Sequence, residues 1–239
     1  MYFFKNFTVL VAITLYNVRC DGVTDVVNES TTPLPDLNET NSIETSTSSE
    51  IETVKVEVYY ESLCPYCERF FVNKLEPVVQ SMHQYLDIKL YPFGNADIIE
   101  EDDHYRFRCQ HGKLECYGNK LHACAIDILK NVTKSTLFNC CLFEFFSDDE
   151  SVDECATRMK LNGDPIKECA KGSKGNELLK YYGDETNKIY FRGVPHIRLN
   201  GIPYRNSSKK IFKDYVCAAF KNPPPPCNTV STTSASTDE

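Results

Sequence analysis

The sequence predicts an α/β domain built around a central block of helices. Residues 54–60, VKVEVYY, alternate apolar and polar side chains and are rich in β-branched residues, as expected of a strand. Residues 86–94, LDIKLYPFG, show the same alternation, and residues 193–205, GVPHIRLNGIPYR, place Asn-Gly between two short apolar runs, as in a hairpin. With the helices described next, the order is β-α-β, a helical insertion, then β-β-α. This order predicts a thioredoxin-like fold with a central helical, cysteine-rich insertion.

The segments between and after these strands have the spacing of amphipathic helices. From Pro65 to about Tyr85 apolar residues recur at helical intervals, and Pro77 is expected to kink or divide that helix. Residues 97–182 are predicted to form a mainly helical insertion that holds seven cysteines, and residues 209–220 to form a closing helix. The apolar positions of the first helix are Phe70, Phe71, Leu75, Val78, Val79 and Met82.

The two ends of the chain are expected to lie outside the folded domain, which is placed at residues 53–221. Residues 1–20 have one early lysine and then an apolar run, which predicts a cleaved signal peptide. The alternative is an uncut anchor, but the run is shorter than the ~20 residues that span a bilayer. Residues 21–52 are rich in Ser and Thr, and residues 222–239 begin with a proline run. Both are predicted to be disordered, and no stable membrane association is expected.

Charge and cysteine content point to the secretory pathway. The net charge is -8 and no basic block occurs, so nucleic acid is not an expected partner. Twelve cysteines in 239 residues indicate an oxidising compartment or a metal site. We therefore expect a secreted glycoprotein. The candidate glycosylation sites are Asn28, Asn38, Asn131 and Asn206.

Cys64-Pro65-Tyr66-Cys67 directly follows the first strand and opens the first helix. A cysteine at a helix N-terminus is stabilised as a thiolate, and a second cysteine three residues later lies one turn along the same face. We expect Cys64 to attack substrate disulfides and Cys67 to resolve the mixed disulfide. A zinc site is disfavoured because no second CxxC occurs, so no metal is expected. A structural disulfide in a binding protein without catalysis is the other alternative.

Pro195 begins the strand that follows the insertion. In thioredoxin-like folds a cis-proline at this place lies beside the dithiol and shapes the groove that binds substrate backbone. We expect the Val194-Pro195 bond to be cis, the alternative being a trans proline that opens an edge strand. His196, next in sequence, is the predicted candidate for tuning the charge of the thiolate.

The segment CQHGKLECYGNKLHAC resembles the signature of the gamma-interferon-inducible lysosomal thiol reductase family, and the resemblance extends over residues 53–221. It implies reduction of protein disulfides in acidic endosomes or lysosomes, with a link to antigen processing or innate defence. Cys64 and Cys67 are then the catalytic pair, and the signature cysteines are structural. The matching residues are Cys109, Gln110, His111, Gly112, Glu115, Cys116, Asn119 and Cys124.

This resemblance also sets expectations for partners and for individual residues. Protein substrates that contain disulfides and a small-thiol reductant are the expected partners, and no cofactor is expected. His111 is expected to order its loop by hydrogen bonding rather than to act as an acid or base. His196 departs from the bulky aromatic residue that members often carry after this proline. The alternatives are a non-catalytic binding protein of innate defence and a glutaredoxin-like enzyme, since glutaredoxins also have Pro-Tyr between their cysteines.

The remaining cysteines do not pair evenly. Without Cys20 and the dithiol, nine cysteines remain, so one is expected to be unpaired. Cys227, in the predicted tail, is the candidate, and it could link two chains in a dimer. The adjacent Cys140 and Cys141 are expected to have different partners. Activity in acid requires a thiolate, so we expect the pKa of Cys64 in the lower part of the ~3.5–7 range of such pairs.

Overall fold

Two β-sheets lie in the part of the chain that the computed structural model describes, which is residues 51–101, 104–205 and 210–228. One sheet has four strands in the order β2–β1–β5–β6, and the other pairs β3 with β4. The first two strands of the larger sheet are parallel, and its other pairs are antiparallel. The strands are β1 (Val54–Tyr60), β2 (Leu86–Pro92), β3 (Asp97–Glu101), β4 (His104–Arg108), β5 (His196–Leu199) and β6 (Ile202–Pro203).

Nearly all of β1 is buried, and one of its faces packs against helical residues in the main hydrophobic core. The described helices are α1 (Pro65–Phe70), α2 (Glu76–Met82), α3 (Lys113–Leu129), α4 (Val132–Phe143), α5 (Asp149–Met159), α6 (Asp164–Lys171), α7 (Ser173–Asn187) and α8 (Phe212–Ala218). Within the described ranges, no helix has the length and apolar character needed to cross a bilayer.

The first predicted helix is divided, as expected from Pro77. A π-helical turn, Phe71–Leu75, separates α1 from α2, and Pro77 is the second residue of α2. Because proline has no N–H to donate, the hydrogen-bond register changes in the turn before it. The six predicted apolar positions of this helix are all buried in the core beside β1.

The prediction of the helical insertion is wrong at its N-terminal end, and its predicted C-terminal bound comes too early. Asp97–Glu101 and His104–Arg108 form the β3–β4 hairpin rather than helix, and the helical part runs from α3 through α7, ending at Asn187 instead of residue 182. Ile98 and Phe107 pair across this hairpin and pack onto the core that contains Phe93. The alternation of side chains along these strands is that of a half-exposed hairpin.

Four disulfides brace the insertion and the end of the domain. Cys124–Cys169 and Cys141–Cys155 join helices of the insertion, Cys109–Cys116 joins the end of the hairpin to α3, and Cys217–Cys227 closes onto α8. One cysteine is unpaired, as expected, but the choice of Cys227 is wrong. The unpaired residue is Cys140, which is fully buried and therefore unavailable to link two chains.

The hairpin around Asn200-Gly201 is confirmed, and both residues have the positive φ that such a turn requires. Past the predicted domain end at residue 221, Pro225–Asn228 form a 3₁₀ turn, and Cys227 is bonded to Cys217 of α8. Residues 1–50 and 229–239 lie outside the described residues, and with them the predicted signal peptide, most of the predicted leader, and the candidate sites Asn28 and Asn38. Asn206 also lies outside the described residues.

Candidate active site

The dithiol lies where β1 ends and α1 begins. Cys64 is the N-cap residue of α1, and Pro65 occupies the first helical position, where a missing N–H costs nothing. The carbonyl of Cys64 accepts hydrogen bonds from the N–H groups of Cys67 and Glu68, each at 3.0 Å, which closes the first turn. Cys64 is 5% exposed and Cys67 is 0% exposed, and neither is in a disulfide. The two reduced thiols, Cys64 and Cys67, therefore lie just beyond the end of β1.

The surroundings of the two thiols shift their pKa values in opposite directions. A hydrogen bond from the Cys67 thiol lowers the pKa of Cys64 to about 6; burial opposes this, and the N–H groups of Cys67 and Tyr66 and the charge of His111 assist it. Burial raises the pKa of Cys67 far above its ordinary value, and the neighbouring Cys64 raises it further. Cys64 is thus a thiolate near neutrality, and Cys67 is its protonated hydrogen-bond donor. The pKa of Cys64 lies in the upper part of the ~3.5–7 range of such pairs, so the expectation of a value in the lower part is wrong.

The proline expected beside the dithiol is there. The Val194–Pro195 bond is cis, as predicted, and the carbonyl oxygen of Val194 lies 3.9 Å from the Cys64 sulfur. Pro195 borders an open groove of ≈ 420 Å³ next to the dithiol. This groove, which we call the α1 groove, is lined by Tyr66, Arg69, Phe70, Lys74, Pro195, Ile197 and Tyr204.

His196 does not take the place expected for it. Successive residues of a strand face opposite sides, so the side chain of His196 points away from the α1 groove, which Pro195 and Ile197 line. Its ring stacks on Phe191, with centroids 5.2 Å apart, and lies 5.9 Å from the ring of Tyr59. The histidine whose charge acts on Cys64 is His111. The expectation that His196 tunes the thiolate is therefore corrected in favour of a signature residue.

The signature residues hold the turn that leads into the dithiol. The N–H of Ser62 donates to the side-chain oxygen of Asn119 at 2.8 Å, and the Ser62 hydroxyl donates to the carbonyl of Glu115 at 3.1 Å. The N–H of His111 donates to the carboxylate of Glu115 at 2.9 Å, and the His111 ring is hydrogen-bonded to the same carboxylate. The loop-ordering role expected of His111 is therefore seen.

The remaining signature residues fix this loop to its surroundings. Gln110 accepts a hydrogen bond from the side chain of Asn95 at 2.9 Å, and Gly112 caps α3 with a φ of 86° that favours glycine. Cys109 and Cys116 are bonded to each other, whereas Cys124 reaches across to Cys169. All three cysteines are therefore structural in this chain, and none joins the dithiol.

A residue that the sequence analysis did not single out, Glu61, is buried three positions before Cys64. It is 0% exposed, accepts the N–H of Asn95 at 2.7 Å and lies 3.5 Å from Nδ1 of His111. Burial raises its pKa to about 7; the Asn95 N–H opposes this, the charges of Glu115 and Cys64 add to it, and His111 opposes it. The side-chain donor atoms of Glu61, His111 and Glu115 all lie within 4.8 Å of one another, a spacing that ion pairing alone accounts for.

A second buried polar network joins the insertion to β1. His122 is fully buried, with Nδ1 3.1 Å from the Tyr60 hydroxyl and Nε2 3.1 Å from the Ser147 hydroxyl. Asn139 donates to the same Tyr60 hydroxyl at 3.2 Å. Burial lowers the pKa of His122 to about 3, so the ring is neutral throughout the range in which ordinary histidines titrate.

Of the four candidate glycosylation sites, Asn131 is the one that the structure describes. It is exposed at the start of α4, where its side-chain oxygen accepts the N–H of Lys134 at 2.9 Å. Attachment of a glycan to the side-chain nitrogen leaves this capping oxygen in place.

The sheet order, the dithiol at the start of a helix and the adjacent cis-proline together define a thiol–disulfide oxidoreductase of the thioredoxin-like class. The fold is also that of MdbA, a thiol-disulfide oxidoreductase from Actinomyces oris. The two structures superimpose with a TM-score of 0.55 at 12% identity, covering 72% of this chain and 83% of MdbA. The predicted fold class is confirmed.

Residues 55–159 match the family model described as gamma interferon inducible lysosomal thiol reductase. A protein of Anopheles gambiae named gamma-interferon-inducible lysosomal thiol reductase-like protein is 33% identical over 193 residues, covering 73% of this chain and 80% of that protein. GILT-like protein 2 of Drosophila melanogaster is 30% identical over 177 residues, covering 72% of this chain and 83% of that protein. The chain belongs to the gamma-interferon-inducible lysosomal thiol reductase family, and it is an oxidoreductase that acts on disulfides.

Proposed function

We propose that this protein reduces disulfide bonds of protein substrates by a CxxC dithiol mechanism in an acidic compartment of the secretory pathway. Cys64 is the nucleophile and Cys67 the resolving thiol. The observation that carries the proposal is the pair of opposed environments at one helix start. The attacking thiol has a pKa of about 6, and its partner is a buried hydrogen-bond donor.

The reaction transfers two electrons to the substrate in two exchanges. The Cys64 thiolate attacks one sulfur of the substrate disulfide; a mixed disulfide forms, and the other substrate sulfur leaves and takes up a proton. Cys67 then gives up its proton and attacks the Cys64 sulfur, which releases the second substrate thiol and leaves a Cys64–Cys67 disulfide. Two molecules of a small thiol reduce that disulfide and are themselves oxidised to a disulfide.

The same pKa supports operation in acid. A free cysteine, with a pKa of ~8.5, has almost no thiolate in an acidic organelle, whereas Cys64, at about 6, keeps a usable fraction. The word lysosomal in the relatives' names supports this compartment, and so does the signal peptide predicted from the sequence. Four disulfides in the described part of the chain are in keeping with an oxidising route to that compartment.

The proposal is tested by following reduction of insulin by the mature protein at acidic and at neutral pH, with a small thiol as electron donor. We expect activity that persists at acidic pH, together with a rate of Cys64 alkylation whose midpoint lies at about 6. Absence of activity at both pH values in correctly folded protein would favour a binding function and overturn the proposal.

The α1 groove supports a preference for acidic substrates. Lys74 and Arg69 line it, and among the described residues no carboxylate pairs with either; Arg69 stacks over the ring of Tyr66 at 4.6 Å. We expect Lys74→Glu to lower kcat/KM for a cystine peptide with flanking glutamates by about 2- to 5-fold, as for a single exposed charge pair. A peptide with flanking lysines should change in the opposite direction. Lys174→Glu, on exposed α7, is the control, and equal effects on both peptides would exclude charge recognition in this groove.

A further inference from the structure

The signature residues His111 and Glu115 have no part in the two exchanges, yet they lie against a buried carboxyl beside the dithiol. One oxygen of Glu61 accepts the Asn95 N–H, and the other has no hydrogen-bond partner and lies 3.5 Å from Nδ1 of His111. The His111 ring is in turn hydrogen-bonded to Glu115, which is fully buried. Three titratable side chains therefore connect the disulfide-closed loop of residues 109–116 with the turn that leads into Cys64.

The surrounding structure is shaped to accommodate the buried side chain of Glu61. Its side chain fills the space beside Gly94, where an added Cβ would lie 2.3 Å from the Glu61 Cγ. Gly94 also has a φ of 61°, so this position favours glycine on two grounds. A fully buried carboxyl with one unpartnered oxygen is costly, and such groups are retained where they serve a purpose.

We propose that Glu61, His111 and Glu115, which contact one another beside the turn that leads into Cys64, form a positioning cluster that favours the thiolate of Cys64 in acid. The proposal rests on the proposed function and assigns to the family signature a part in tuning the dithiol. It makes Glu61 a positioning residue, since it acts on the reaction through Cys64.

The charges around each group support an order of titration in which Cys64 loses its proton before Glu61 does. Glu61 faces Cys64 and Cys67 on α1, and His111 and Glu115 from the signature loop and α3. Burial and its negative neighbours raise its pKa to about 7, above the value of about 6 for Cys64. For His111, burial lowers the pKa, but the hydrogen bond and charge of Glu115, with the charges of Glu61 and Cys64, outweigh burial and raise it. In acid the cluster thus presents a neutral Glu61 and a His111 cation, whose ring is hydrogen-bonded to Glu115.

A glutamate with an ordinary pKa at this position would disfavour the thiolate of Cys64. Its carboxyl would ionise well below the titration range of Cys64 and would place a second negative charge in a poorly screened site beside the thiolate. Holding Glu61 neutral removes that repulsion in acid, while the His111 cation favours the thiolate. As the pH rises, Glu61 ionises and makes the thiolate more basic, which also raises its intrinsic nucleophilicity.

The proposal is tested by measuring the rate at which iodoacetamide alkylates Cys64 in the reduced full chain as a function of pH, with the modified residue identified by mass spectrometry. The wild-type profile should rise twice, at about 6 and at about 7. Glu61→Gln should leave the first midpoint unchanged and abolish the second rise. His111→Gln should move the first midpoint upward. The exposed residues Glu177 and His83 provide matched controls, and Glu177→Gln and His83→Gln should reproduce the wild-type profile.

Either of two results would overturn the proposal. A first midpoint that falls in Glu61→Gln would mean that Glu61 is already charged when Cys64 titrates. If folded His111→Gln has the same first midpoint as the wild-type protein, the signature residue His111 does not influence the pKa of Cys64. Near-UV circular dichroism checks that each variant is folded.

A measurement on the wild-type fold decides the question if a variant fails to fold. In protein labelled with ¹³C at the glutamate carboxyl carbons, the Glu61 resonance should titrate at about 7, and in Cys64→Ser its midpoint should fall because the thiolate charge is gone. A midpoint in the ordinary glutamate range would contradict the proposal. Neither readout requires turnover, so failure of the proposed reductase function and failure of this inference are distinguishable.

Discussion

Replacing Cys64 with serine is expected to reduce the rate of insulin reduction to that of the small thiol alone. A serine hydroxyl has no accessible anion at acidic or neutral pH, so the first exchange has no nucleophile, although the neighbouring helix and groove remain. The measurement is the initial rate at saturating donor thiol. Cys140→Ala is the matched control, because Cys140 is a free thiol in the core and not part of the dithiol.

Cys67→Ser gives the complementary result. The first exchange still occurs, but no thiol remains to resolve the product, so a covalent complex between Cys64 and the substrate should accumulate. Non-reducing electrophoresis followed by peptide mapping detects it. Full turnover by Cys64→Ser, or a trapped complex through any cysteine other than Cys64, would contradict the assignment of roles.

Acidification is expected to destabilise the fold through His122 by about 2 kcal/mol at about pH 5. The pKa of His122 is about 3 in the folded protein, against an ordinary value of 6.5. As the pH falls below 6.5, His122 binds a proton in the unfolded chain but stays neutral in the folded chain. Stability is therefore lost progressively over the interval between these two values and is fully present above it.

The contribution of His122 is isolated by comparing wild-type protein with His122→Gln in urea unfolding at several pH values. The variant is expected to be less stable at neutral pH, because contacts with Tyr60 and Ser147 are disturbed, and to lose less stability on acidification. His83→Gln, at an exposed position, should follow the wild-type protein. A constant difference between wild type and His122→Gln at all pH values would show that His122 does not titrate in this way.

The sequence predicted the parts of the site that depend on local order along the chain. A strand that runs into Cys64-Pro65-Tyr66-Cys67 and then into a helix leaves little choice about where the thiols lie, because Pro65 and the N-cap position are local features. The β3–β4 hairpin was missed because its acidic stretch does not look like a strand and the segment that follows it is helical. Its Ile98–Phe107 pair, on alternating positions, was the available signal.

The errors within the site have a different origin, because they concern which way a side chain faces. His196 adjoins Pro195 in sequence, yet the alternation of β5 turns it toward Phe191. His111 is 47 residues from Cys64 in sequence, and only tertiary packing brings its charge to the thiol. Glu61 stands in the apolar context YYESL, but nothing local distinguishes a buried glutamate from a surface one until the Asn95 amide and the signature loop enclose it.

The reactivity of the buried Cys140 thiol reports unfolding of the domain. It is the one free cysteine of the described residues that is not part of the dithiol, and it is fully buried among the aromatic residues of the core. Burial also raises its pKa well above the ordinary value, so in the folded state it is neither reachable nor ionised. Once the dithiol is oxidised, uptake of a thiol reagent by Cys140 counts only the openings of the domain. Among the described residues, Cys140 is thus a single-site probe of how often this domain opens.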